Sequence, residues 1–224
     1  MRRLSTAAAT AALTAALLTG PGTAVPALAD TARIPVILIH GRNADPGVWG
    51  PLTSYLVQQG VPKESILTWG YDTSQSTNEV LAARLAAYVD ATGAARVNIV
   101  AHSLGSLPSR WYVKFGGGSR KVANWISLAG PNHGTGMAYL CALWDQGCRD
   151  MTPGSYVVSH LNQDTETPGP TRYTTIRSDS DEQISPTTST ELSGADNIEI
   201  DGLRHNDFLT STDVFRRISD ILAR

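Results

Sequence analysis

Short, nearly continuous apolar runs alternate along this chain with longer stretches in which apolar residues recur every three or four positions. Residues 34–39 (Ile-Pro-Val-Ile-Leu-Ile) and 96–101 (Arg-Val-Asn-Ile-Val-Ala) lack the polar alternation of a half-exposed strand, as expected for strands covered on both faces of a parallel sheet. Further strands are expected at 65–70, 122–129, 172–177 and 197–200. Helical spacing marks residues 51–59, then 76–92, where Val80, Leu81, Leu85, Tyr88 and Val89 share a face and Gly93 stands near the end. A helix after residue 101 is closed by Gly116 to Gly118, and others are expected near 156–162 and 212–223. Strand and helix in alternation imply an α/β fold, with about six parallel strands and helices on both faces. Neither an opening antiparallel hairpin nor a long helical insertion is accommodated. The nearest approach to a cover is the irregular stretch 131–153.

The first residues change the picture of where the chain works. Met1-Arg2-Arg3, an Ala/Leu/Thr stretch and the small-residue sequence Ala27-Leu28-Ala29 read as a secretory signal peptide over residues 1–29, leaving 30–224 as one domain. The apolar part is interrupted by threonines and falls short of a membrane span. Export makes oxidation of Cys141 and Cys148 the expected state, as one local disulfide, over two buried thiols or a metal site. With a net charge of −2 and 17% charged residues, the chain offers no field for nucleic acid or an anionic membrane.

The chemistry lies in Ala101-His102-Ser103-Leu104-Gly105, which follows a strand directly and opens a helix. This is the pattern of a nucleophile elbow, a sharp turn that exposes a serine hydroxyl and tolerates only small flanking residues. Serine needs a base, and the partners in this arrangement follow as an acid and then a histidine, each after a strand. Asp181 lies beyond the strand 172–177 and His205 beyond 197–200, so both reach the same sheet edge. Asp179 is the alternative acid. The other histidines fit the role less well: His40 neighbours the loop after the first strand, His102 points away from the serine, His133 sits near the mouth and His160 lies on a helix. Backbone N–H groups of Leu104 and Arg42 are the candidate oxyanion donors. Trp49, Leu107, Met137, Tyr139, Leu140 and Trp144 are available to line an acyl groove. No cofactor or metal is called for.

These blocks, with Val36-Ile37-Leu38-Ile39-His40-Gly41, Tyr173-Thr174-Thr175-Ile176 and Gly202-Leu203-Arg204-His205, resemble the small, lidless secreted bacterial lipases of the Bacillus lipase A type and related actinobacterial triacylglycerol lipases. The resemblance spans nearly all of residues 30–224. It implies a minimal α/β-hydrolase without a lid domain, a monomer that hydrolyses carboxylic esters without a cofactor, transient contact with a lipid–water interface, and Ser103, Asp181 and His205 as a triad. Arg42 departs from the apolar residue of the Bacillus enzymes, and the Cys141 to Cys148 loop is absent from them. A polyester depolymerase, thioesterase, amidase or acyltransferase would use the same triad, and a catalytically dead binding module is the reading outside enzymes.

Overall fold

A computed structural model describes residues 34–224; the expected signal peptide lies outside them. Six strands form one sheet, β1 (Val36–Ile39), β2 (Ile66–Trp69), β3 (Val97–His102), β4 (Val122–Leu128), β5 (Arg172–Arg177) and β6 (Asp196–Glu199). Their spatial order is β2-β1-β3-β4-β5-β6 and every pairing is parallel. The most apolar strands, β1, β3 and β4, are central and buried along their whole length. Edge strand β6 (Asp-Asn-Ile-Glu) is the polar one, and its charges discourage pairing with another chain.

Period-two alternation in the strands sends side chains to two separate cores. On one face Val36, Leu38, Val100 and Ile126 meet Leu52 and Leu56 of α1 (Gly50–Gln58) and Phe215 and Ile218 of α6 (Thr212–Leu222). On the other, Ile37, Ile39, Ile99 and Trp125 meet Leu81 and Leu85 of α2 (Asn78–Ala91) and Val113 of α3 (Ser106–Phe115). Pro108 falls in the first turn of α3, where its missing N–H costs nothing.

Residues 131–153 are more ordered than the sequence suggests. They hold a 3-10 turn, Gly136–Leu140, and a short helix α4 (Gln146–Met151), followed by α5 (Tyr156–Asn162). Both elements of this stretch are too short for hydrophobic periodicity to reveal, and they are fixed by capping instead. Thr135 accepts from Met137 N–H and Asp145 from Cys148 N–H. Cys141 and Cys148 are joined in a disulfide. Leu104, Leu107, Met151, Val157 and Leu161 form a third small core that seats this stretch against α3. Among the described residues no helix lies across the serine as a lid.

Candidate active site

Ser103 leaves β3 at a φ of 53°, in the left-handed region that a non-glycine residue occupies only under constraint. The constraint is steric fit. A Cβ on Gly105 would stand 2.6 Å from the carbonyl oxygen of His40, so the 3-10 turn Ser103–Gly105 passes the end of β1 at a distance only glycine allows. A Cβ on Gly41 would stand 2.9 Å from Cβ of Ser103, so the loop after β1 lies directly against the serine.

His205 Nε2 is 2.9 Å from Ser103 Oγ. On the other side of the ring, Nδ1 lies 2.9 and 3.0 Å from the two oxygens of Asp181. All three residues are buried. Asp181 Oδ1 also accepts from the N–H groups of Gln183 (2.8 Å) and Ile184 (3.1 Å), which sets the carboxylate plane from its own loop. Asp179 accepts from Ser180 Oγ and does not face the ring, so of the two acids the structure brings Asp181 to His205. Glu182, the third acid of this run, accepts from the main-chain N–H of His205 at 3.1 Å.

Ser103 and His205 open into a cavity of about 930 Å³. Met137 and Leu140 line it, whereas Trp49 and Leu107, also expected there, are buried in the cores. Tyr139, Leu143 and Trp144 do not line the cavity but stand exposed, Leu143 at 89%, on the same stretch of chain as the lining residues Leu140 and Cys141, and in that sense rim it. Arg42 lines the cavity, and its N–H meets no acceptor among the described residues. Leu104 lies in the first turn of the elbow helix, where the first N–H groups have no intrahelical partner. His133 is turned to Glu166 Oε1 (2.8 Å) and does not line the cavity; His160 bonds within α5 to Tyr156.

The supporting contacts of three residues escape sequence reasoning. His102 does point away from the serine, but its Nε2 bonds to the main chain of His205. His40 donates from Nδ1 to Gly41 O at 2.9 Å and stacks on Tyr71 with ring centroids 4.6 Å apart. Arg42 pairs with Asp145. Apart from the bond between neighbours His40 and Gly41, each joins residues remote in sequence, and only the capping position of Asp145 carries a local signal.

A serine held at a left-handed turn on the carboxyl edge of this strand order makes the molecule an α/β-hydrolase. The chain belongs to the family Lipase (class 2), which it matches over residues 33–223. Solved structures with the same fold include the mature form of Bacillus licheniformis lipase BlEst2, at a TM-score of 0.73 and 17% identity, covering 86% of this chain and 93% of that one. Aspergillus fumigatus lipase B matches at 0.73 and 18% identity over 87% of this chain and 54% of its own. A putative non-heme bromoperoxidase, BpoC, of Mycobacterium tuberculosis matches at 0.63 and 13% over 85% and 92%. At these identities the likeness is one of fold. Family and fold together make the protein an enzyme of the lipase and esterase kind of serine hydrolase.

Proposed function

We propose that the protein is a secreted, monomeric lipase that cleaves acyl esters such as triacylglycerols through an acyl-enzyme on Ser103. The observation that carries this reading is the continuous contact from Asp181 through His205 to Ser103 Oγ within one chain. His205 takes the serine proton as Oγ attacks the ester carbonyl, and the N–H groups of Arg42 and Leu104 hold the oxyanion. The imidazolium then returns its proton to the departing alcohol, and water, activated by the same nitrogen, releases the acid. Asp181 fixes the tautomer that leaves Nε2 free to accept. The apolar rim of Tyr139, Leu143 and Trp144 favours a lipid over a small soluble ester, because large exposed apolar groups beside a site mark a contact surface. The leader and the disulfide support export.

A fluorophosphonate probe and a panel of p-nitrophenyl esters of graded chain length test the assignment. Wild type should label and turn over esters, and Ser103→Ala should do neither while keeping its fold. Ester turnover by Ser103→Ala within tenfold of wild type would refute the acyl-enzyme.

A further inference from the structure

The disulfide loop reaches the segment after β1 that lies against the serine, through a contact that the hydrolase reading does not use. Asp145 lies inside the loop closed by Cys141 and Cys148 and is almost wholly buried. Its Oδ1 accepts from Cys148 N–H at 2.9 Å, which locks the carboxylate at the head of α4. Its Oδ2 accepts from Arg42 Nε at 2.8 Å. Arg42 lines the cavity and its main-chain N–H has no acceptor among the described residues, and Asn43 follows it at a φ of 55°, in a turn that needs support from outside. That support comes from the same neighbourhood. Asn43 N–H donates to Thr73 Oγ1 at 3.1 Å, and Gln146 N–H donates to Ser74 O at 2.8 Å. Gly147 sits so close to Thr73 O and the Leu104 side chain that a Cβ would collide with both. The first turn of α4 therefore touches the residues that carry both oxyanion donors.

We propose that Asp145 is a positioning residue for the oxyanion hole, acting through the Arg42 side chain to hold the Gly41–Arg42 main chain at its distance from Ser103. The disulfide loop is then a strut of the catalytic machinery. With Nε committed to a buried carboxylate, the Arg42 guanidinium is anchored to the disulfide loop. The carboxylate is buried while Arg42 is about a quarter exposed, so removing either partner also costs stability, and the positioning role is read from the rate per titrated site. A loop displaced by a fraction of an ångström weakens a donor that acts only on the transition state.

This inference rests on the ester-hydrolase reading of Ser103, and the test separates the two. Turnover of p-nitrophenyl butyrate is measured per active site, titrated with a fluorophosphonate, for Arg42→Ala, Arg42→Lys, Asp145→Asn and the double variant Arg42→Ala/Asp145→Asn. Each of Arg42→Ala and Asp145→Asn should lower kcat about tenfold with KM within about threefold, less than outright loss of a donor. The double variant should be no worse than the poorer single one, because both break one link. Arg42→Lys should recover most of the rate by restoring a cation to Asp145. Arg42→Ala leaves the cap bond to Cys148 intact and decides alone if Asp145→Asn does not fold. Wild-type kcat per titrated site in Arg42→Ala, a change confined to KM, or additive losses in the double variant would overturn the proposal with the hydrolase reading intact. Wild-type protein that neither labels nor turns over any ester would remove that reading, and the positioning role with it.

Discussion

The Nε2–H of His102 donates to the main-chain carbonyl of His205 at 2.9 Å, with the two imidazole rings 4.8 Å apart. The residue before the serine thus holds the backbone of the residue that contacts the serine. Burial, reinforced by the neighbouring His205, pulls the pKa of His102 down to about 3, so it stays a neutral donor and does not set a second positive charge beside His205. His102→Ala should leave a buried carbonyl without a partner, at about 2 kcal/mol of stability. It should also let His205 drift, lowering kcat about tenfold. His102→Gln, which keeps an N–H donor, should recover most of both. Chemical denaturation and saturation kinetics check the pair of effects; His102→Ala with an unchanged kcat would mean that the bond only packs the core.

Asp181 is the carboxylate that meets His205, and Asp179 bonds to its sequence neighbour. Asp181→Asn presents an amide to Nδ1 and imposes the wrong tautomer, so the rate should fall by about 10⁴. Asp179→Asn should stay within a few-fold of wild type. Parallel initial rates on one soluble ester decide between them, and the reverse order of severity would move the acid to Asp179.

Central strands, the elbow and the order of serine, acid and histidine were legible because each depends on a local pattern: an apolar run, small residues around Ser103, loops after strands. Strand β6 appeared one residue early in the structure, at Asp196–Glu199, because an edge strand of mixed polarity has no sharp apolar boundary. The ordered core of residues 131–153 was not legible. Its elements are single turns held by Thr135, Asp145 and the disulfide, and no hydrophobic period of six residues separates a helix from a loop. Trp49 and Leu107 show the complementary failure: an apolar residue near a site in sequence fits core and groove equally until a fold assigns it.

Asp150 gives the fold a pH dependence of its own. Burial pushes its carboxyl up to about 6, helped by Glu79 and opposed by hydrogen bonds from Gln146 Nε2 and Asn78 N–H and by nearby Arg149. A carboxyl raised in the folded state favours folding most when it is protonated in both states, below its unfolded value near 4. That contribution is lost as pH rises from about 4 through 6. Asp150→Asn stays neutral throughout, so wild type should lose more thermal stability than the variant between pH 4 and pH 7, with the curves parallel above 7. Melting temperatures at unit pH intervals test this, and parallel curves across the whole range would refute it.

The apolar rim beside the cavity is anchored in a way that a swinging cover is not. Cys141 is bonded to Cys148, Gly136 N–H donates to Ser185 O at 3.0 Å, Thr135 Oγ1 donates to Gln183 O at 2.7 Å, and Thr135 N–H donates to Met151 O at 2.8 Å. Ser103 should therefore be reachable by dissolved ester at all times, and tributyrin hydrolysis should follow ordinary saturation across the solubility limit. The rim should act on adsorption instead. Leu143 and Trp144 are exposed and carry no part of the triad, so Leu143→Asp/Trp144→Ser should lower the rate on sub-saturating emulsified triacylglycerol at least tenfold, since each large apolar group leaving water contributes about 1.5 to 3 kcal/mol. Turnover of soluble p-nitrophenyl butyrate should stay within twofold. A sigmoid rise at the solubility limit would show residues 131–153 moving as a lid, and equal losses on both substrates would show the rim supporting the site and not the lipid surface.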